Sequence, residues 1–177
     1  MPVRPASRAR GLTIIELVTV LVVIMILAVL LMPAWDKMRR RAQRVQCMTN
    51  LRNLHAAAGS YVTQHGSWPQ IDSTQITTPA YAKAWIAALR PFGIDEKNWI
   101  CPTVQEVFGN PNYLEEEHVR IDYTATPFDA HPYTPYKWSK QPWFVEKGDM
   151  HGVGNLILFP DGRIEGLLEL RDSQTGN

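Results

Sequence analysis

The sequence has little net charge and few cysteines. Its 18 basic and 17 acidic side chains leave a formal net charge of +1 over 177 residues. A balance this even gives no electrostatic reason to expect nucleic-acid binding, so no nucleic-acid partner is predicted. The chain contains two cysteines, which can form at most one disulfide.

Motifs of the common enzyme classes are also lacking. The sequence contains no nucleophile elbow, no glycine-rich phosphate-binding loop, no zinc-ligand spacing and no separated carboxylate pair in a credible context. We therefore expect a protein that is not an enzyme, with neither catalytic residues nor a cofactor.

One long stretch lacks charge altogether. The 19 residues from Leu17 to Trp35 are uncharged, and as a helix they are long enough to cross the hydrocarbon core of a bilayer. Glu16 is the only charge among the apolar residues that follow Gly11. Because an unpaired carboxylate near hydrocarbon is energetically expensive, we interpret Glu16 as a functional residue.

The N-terminus resembles that of type IV pilins and type II secretion pseudopilins. The resemblance rests on a basic leader (residues 1–11) ending in Gly11, then Leu-Thr-Ile-Ile-Glu and the apolar run. It implies that a prepilin peptidase cuts after Gly11 and methylates the amino group of Leu12. It also implies that Glu16 pairs with the terminal amine of a neighbouring subunit during assembly. Pro33 falls where many pilins have a helix-bending proline, and it removes one backbone hydrogen bond.

The C-terminal part carries a second resemblance. One histidine, nine intervening residues and an Asp-Gly pair are similar to the H-x9-D-G signature of a large bacterial group of prepilin-processed proteins: His151, Asp161 and Gly162. That group is also similar around Cys47 and at a later Cys-Pro pair, here at Cys101. We interpret His151 and Asp161 as residues that hydrogen-bond each other or nearby backbone and fix a hairpin onto the domain.

The flanking charges and the family resemblance predict opposite membrane orientations. Three basic residues precede the apolar run and five follow it by position 44, so the positive-inside rule alone would place the C-terminal side in the cytoplasm. The resemblance implies the opposite, because the peptidase acts on the cytoplasmic side. It implies a single-pass protein of the inner membrane with a cytoplasmic N-terminus and a periplasmic or extracytoplasmic head. Two alternatives stay open: an ordinary secretory signal cleaved after Ala34, and an uncleaved anchor.

The predicted fold class is α+β, with a long helix packed on a small antiparallel sheet in a loop-rich, pilin-like head. Residues 12–35 would form the transmembrane or filament-core helix, residues 36–65 its amphipathic continuation, and residues 66–177 the head. Apolar residues with helical period mark the face of the continuation that packs on the head: Cys47, Leu51, Leu54, Ala58, Tyr61 and Val62.

Several elements of the head are predicted locally. We expect a helix over residues 81–89, a strand within 119–126, and a short buried strand or turn at 99–102. The clearest pattern is a hairpin in which residues 155–159 and 163–168 flank Pro-Asp-Gly, because Asp-Gly favours tight turns.

The two cysteines have two interpretations. Cys47 lies on the helix face that should meet the head, and Cys101 lies in an apolar segment expected in the core. A disulfide between them would close a loop of about 54 residues and stabilise the fold by about 4 kcal/mol. Otherwise, both are small buried thiols.

No metal site is predicted, although Asp149, His151 and Asp161 are weak candidates. Some pseudopilins bind calcium near the C-terminus, but calcium needs six to eight oxygen ligands and acidic residues are sparse here. The basic run over residues 37–44 is either a solvated or lipid-contacting face or a set of partners for acidic groups on adjacent subunits.

The predicted function is a structural subunit of a type II secretion-like or type IV pilus-like assembly. Its partners would be prepilin peptidase, like subunits or other pseudopilins, and membrane lipid. The alternative is a membrane-tethered module whose aromatic- and proline-rich head binds a surface ligand such as a polysaccharide, with the leader used only for export and anchoring. The aromatic residues that could form such a surface include Trp138, Trp143 and Phe144, although these are more often part of the core of a loop-rich domain.

Overall fold

The structure, a computed structural model, describes residues 13–74, 76–109, 115 and 118–175. Within these residues the helices are α1 (Ile14–His65), α2 (Pro79–Leu89), α3 (Pro102–Phe108), α4 (Thr134–Lys137) and α5 (Leu167–Thr175). The strands are β1 (Tyr123–Ala125), β2 (Phe144–Glu146), β3 (Leu156–Leu158) and β4 (Ile164–Gly166). Two short 3-10 helices, Arg90–Phe92 and Glu96–Trp99, lie between α2 and α3. The predicted α+β fold class is confirmed.

The chain divides into two compact units with the boundary between Arg39 and Arg40. The first unit contains the apolar part of α1. The second, from Arg40 onward, contains the rest of α1 together with the strands and short helices given above.

Helix α1 is 52 residues long, and its sequence contains few residues that disfavour a helix. Glycine is absent between Gly11 and Gly59. Pro33 lies inside the helix, and the bend that we expect at this proline stays a prediction. Gly66 ends the helix as expected: its φ is +70° and its N–H donates to the Val62 carbonyl over 2.8 Å.

The predicted amphipathic face of α1 is confirmed in the second unit. Five of its six residues are buried, and Tyr61 is partly buried against the same core. The pattern missed Asn50, which is buried because its Nδ2 donates to the Ile100 carbonyl over 2.9 Å. A side-chain amide can be buried on an apolar helix face only when it has such a hydrogen-bond partner.

The sheet has the order β1-β2-β3-β4, and every neighbouring pair is antiparallel. The predicted hairpin is β3-β4, and the predicted strand over 119–126 contains β1. Gly162 has φ of +81° in the hairpin turn, a value that L side chains rarely adopt, which explains why glycine follows Asp161.

One local prediction was wrong, and of the two alternatives at a second place the strand is excluded. Residues 167 and 168 begin α5 instead of continuing the strand, because the Glu169 carboxylate accepts from the Gly166 N–H over 3.0 Å and caps the new helix. Residues 99–102 form no strand: they connect a 3-10 helix to α3, which starts at Pro102, and proline suits the first helical position.

The core of the second unit is rich in indole rings. Trp68, Trp99 and Trp143 have no exposed surface, and neither does Phe144. The ring centroids of Trp68 and Trp143 lie 5.0 Å apart, and Phe144 contacts the rings of Trp68 and Trp99 at about the same range, 5.8 and 6.0 Å. Trp143 and Phe144 therefore pack the start of β2 against Trp68 and the 3-10 helix that ends at Trp99.

Candidate functional site

The first candidate site is the start of α1. The Thr13 backbone N–H and hydroxyl both donate to Glu16 Oε2, over 2.8 and 2.7 Å, and the Glu16 N–H donates to Thr13 Oγ1 over 3.3 Å. This reciprocal pattern is a capping box, which satisfies backbone donors at a helix N-terminus. Glu16 thus has a local partner in the single chain. Gly11 and Leu12 lie outside the described residues, so cleavage and methylation there stay predictions.

The apolar part of α1 is exposed along its length. Its large apolar side chains between Ile14 and Met32 range from 44% exposed at Val22 to 83% at Ile14. Within the described residues, this is one helix long and apolar enough to cross a membrane by length and composition. Such a surface needs lipid or protein to cover it.

One arginine of the basic run over residues 37–44 forms an ion pair within the chain. Arg44 Nη2 donates to both carboxylate oxygens of Glu169 in α5, over 2.9 and 3.2 Å. At least this arginine already has an acidic partner in its own second unit.

The second candidate site is a buried cluster of four side chains in the second unit. One ligand atom of each lies within 4.8 Å of the others: Cys47, Cys101, Glu146 and His151. Cys101 Sγ is 3.6 Å from His151 Nε2, which is 3.2 Å from Glu146 Oε1. Both cysteines are fully buried, and the Glu146 and His151 side chains are 0% and 2% exposed.

Four separate segments bring these side chains together. Cys47 comes from the buried face of α1, and Cys101 immediately precedes α3. Glu146 ends β2, and His151 lies in the loop between β2 and β3. The Asp149 carboxylate shapes this loop by accepting from the backbone N–H groups at positions 152 and 154, over 2.9 and 3.0 Å.

Burial and mutual hydrogen bonding shift the ionisation of all four groups. Burial raises the pKa of Glu146 to about 7, against the stabilising hydrogen bond from His151. Burial lowers the pKa of His151, but the hydrogen bonds to Cys101 and Glu146 outweigh it and raise the value to about 9. The hydrogen bond between the thiols lowers the pKa of Cys101 to about 4 and raises that of Cys47. The cluster thus favours a thiolate beside an imidazolium.

The sequence analysis predicted that Cys47 and Cys101 could form a disulfide. It predicted that His151 helps to fix the hairpin onto the domain. The structure places both cysteines as free thiols, and the disulfide stays a prediction. His151 pairs with Glu146, while Asp161 Oδ1 accepts from the Arg163 N–H over 3.0 Å in the hairpin turn. Asp149 and Asp161, the other weak metal candidates, thus serve backbone groups in their own loops.

Sequence reasoning missed Glu146. The signal available was the alternation along β2, where Phe144 and Glu146 are buried and Val145 between them is half-buried. A run of three residues is too short for that alternation to stand out.

The hairpin that contains Asp161 and Gly162 is held by a residue that the sequence analysis did not single out. His55, on α1, contacts the Pro160 carbonyl through Nε2 at 2.8 Å and stacks on Trp143 with ring centroids 4.8 Å apart. A Cβ added at Gly162 would lie 3.5 Å from the His55 ring. The Asp-Gly turn therefore packs on α1 through His55.

Comparison with known proteins finds a partial similarity to a pilin. The chain is similar to the type IV major pilin protein PilE1 of Neisseria gonorrhoeae, with 31% identity over 71 residues. The match covers 40% of this chain and 33% of the pilin, so the chain spans a third of the curated relative. No protein-family model and no solved structure matches. The long apolar N-terminal helix and small antiparallel sheet fit the pilin-like architecture.

Proposed function

We propose that this chain is a structural subunit of a type II secretion-like or type IV pilus-like filament, matured by prepilin peptidase. The observation that carries the proposal is the exposed apolar part of α1 with Glu16 as its one charge. Before assembly, membrane lipid would cover this surface, and in the filament the helices of like subunits would cover it. The partial similarity to a type IV major pilin supports the same class of protein.

Glu16 would set the register between neighbouring subunits. A carboxylate moved out of water needs a partner of opposite charge, and the terminal amine of a subunit cut after Gly11 would supply one. A shifted register would leave the carboxylate unpaired among apolar side chains. The capping contact with Thr13 would keep the side chain ordered until the amine arrives.

Assembly of the full-length protein in its own host tests this proposal. We expect Glu16→Ala to abolish the sheared filament fraction or the crosslinked ladder of subunits, while the protein still accumulates in the membrane. Thr19→Ala is the matched control, because its hydroxyl bonds carbonyls one turn back, Ile15 and Glu16, within the helix. Normal assembly of the Glu16→Ala protein would contradict the proposal.

We further infer a cytoplasmic N-terminus and an extracytoplasmic head, against the count of flanking basic residues. A C-terminal alkaline phosphatase fusion tests the orientation, since that enzyme becomes active only outside the cytoplasm. An active fusion is expected, and an inactive fusion of normal abundance would reverse the assignment.

The competing function, ligand binding by an aromatic head, would not use two of the aromatic residues named for it. Of the three aromatic residues in question, Trp143 and Phe144 have no exposed surface and belong to the core. Trp138 is 56% exposed and remains available. A ligand-binding module would keep its ligand binding when Glu16 is replaced, whereas a filament subunit would lose assembly. The Glu16→Ala variant therefore separates the two functions.

A further inference from the structure

We propose that Cys47, Cys101, Glu146 and His151 form a structural Zn²⁺ site in the second unit. The proposal is independent of the filament function, because it concerns residues that are buried within one subunit. Two thiolates, an imidazole and a carboxylate are ligand types that zinc binds in proteins, and four protein ligands characterise a closed, structural site.

The distances between ligand atoms suit a tetrahedral ion. Standard zinc bond lengths in a tetrahedron place a thiolate sulfur about 3.6 Å from an imidazole nitrogen, and that nitrogen about 3.3 Å from a carboxylate oxygen. The corresponding distances here are 3.6 Å for Cys101 Sγ to His151 Nε2 and 3.2 Å for His151 Nε2 to Glu146 Oε1. All four ligand atoms lie within 4.8 Å of one another, so the most distant pair would close by at most about 1 Å to reach the thiolate–thiolate distance of about 3.8 Å around a tetrahedral zinc.

Surrounding groups orient the ligands. The Leu156 N–H donates to Glu146 Oε2 over 3.4 Å, which directs Oε1 toward His151. The Cys101 N–H donates to the buried Asp122 carboxylate over 2.8 Å, which fixes the backbone that carries the thiol. Such outer contacts are typical of metal sites, where they hold ligands in the binding geometry.

Metal binding would remove the thiol protons, because zinc takes thiolate ligands. Two thiolates and a carboxylate then carry three negative charges, which would be very costly to bury without the ion. A Zn²⁺ ion would offset two of those charges directly. Calcium fits less well, because it requires six to eight oxygen ligands and thiolates are soft donors.

A disulfide between Cys47 and Cys101 is the main competing state. It would account for the two sulfurs alone and would leave unexplained why the Glu146–His151 pair lies beside them. A shared ion accounts for the convergence of all four side chains from α1, β2 and two loops. The ion would tie Cys47 on the helix to Glu146 on the sheet, so metal binding would contribute directly to folding of this unit.

Metal analysis of the full-length protein in mild detergent tests the proposal. After purification without chelator, we expect about one zinc per chain and two thiols that react only after a strong chelator is added. Replacement with Co²⁺ should give the visible absorption of a tetrahedral ion and the near-ultraviolet bands of thiolate-to-cobalt charge transfer. Chelation should also lower the unfolding temperature.

Matched variants assign the ligands. His151→Gln and Cys101→Ser should lower the zinc content at least about tenfold, since each removes one of four ligands. His55→Gln should retain zinc, because His55 contacts the Pro160 carbonyl outside the cluster.

Two results on the unmodified protein would overturn the proposal, whether or not the variants fold. A metal-free chain lighter than the reduced sequence by two hydrogen atoms would identify a disulfide. A metal-free chain with two free thiols that takes up neither Zn²⁺ nor Co²⁺ would identify a buried ion-pair cluster.

Discussion

Two glutamates of this chain lie in apolar surroundings and are satisfied in different ways. Glu16, on the exposed apolar helix, accepts from the backbone and hydroxyl of its own Thr13. Glu146, with a fully buried side chain, is held by the His151 imidazole and the Leu156 N–H. The first arrangement leaves a carboxylate available to a partner, whereas the second closes a site inside the subunit.

At the residue scale, the capping and assembly roles of Glu16 can be separated. Thr13→Val removes the hydroxyl partner and keeps the carboxylate, while Glu16→Gln keeps a capping oxygen and removes the charge. Because assembly would depend on charge, we expect Thr13→Val to assemble and Glu16→Gln to fail in the crosslinking assay. The opposite pattern would show that Glu16 acts only as a helix cap.

His55 is the second residue whose contribution can be measured. His55→Ala removes the Pro160 contact and the stacking on Trp143, so it should destabilise the protein by about 1–2 kcal/mol in denaturant unfolding. His131→Ala is the control: this histidine is exposed and its ring makes one long hydrogen bond, from the Tyr133 N–H over 3.4 Å, so the change in stability should be smaller, about 0.5 kcal/mol. Equal stabilities of the two variants would contradict the role of His55.

At the scale of elements, the sequence predicted the helices and strands that are specified by neighbouring residues. The period of α1, its end at Gly66 and the Asp-Gly hairpin depend on neighbouring residues, and all three agree with the structure. Strand β2 and helix α5 were missed because tertiary contacts define them. β2 has three residues and forms between two other strands, and α5 starts where Glu169 caps the end of β4.

Glu169 gives a test of the start of α5. It caps the Gly166 N–H and also pairs with Arg44, so Glu169→Ala, which removes both contacts, should destabilise the protein more than Arg44→Gln, which removes one. The Gly166 N–H, followed by Arg44, lowers the pKa of Glu169 in the folded state. The stabilisation is therefore present above the unfolded pKa and is lost as pH falls through the folded value.

Unfolding experiments at several pH values measure this difference directly. The gap in stability between the unmodified chain and Glu169→Gln should be largest at neutral pH and should close in the acidic range where glutamate titrates. A gap that persists unchanged into acid would rule out the carboxylate as its source.

At the scale of the whole molecule, the two units require different surroundings. The first presents apolar side chains that are not covered within the described part of the chain, whereas the second buries a tryptophan-rich core of its own. The sequence indicated the apolar stretch and the helix face that packs on the core, because a long uncharged run and a period of 3.6 residues are both visible in the sequence itself. It did not predict the four-residue cluster, because its members are distant in sequence and only the fold brings them together.

The central claim, maturation as a pilin-like subunit, is tested most directly at the N-terminus. The measurement is N-terminal sequencing with intact mass of the protein from native membranes, with a strain lacking prepilin peptidase as the control. We predict a mature chain that begins at N-methylated Leu12 and retains Glu16. A chain that begins at Trp35 would have lost the apolar helix, and an intact Met1 would identify a simple anchor, so either result would contradict the account.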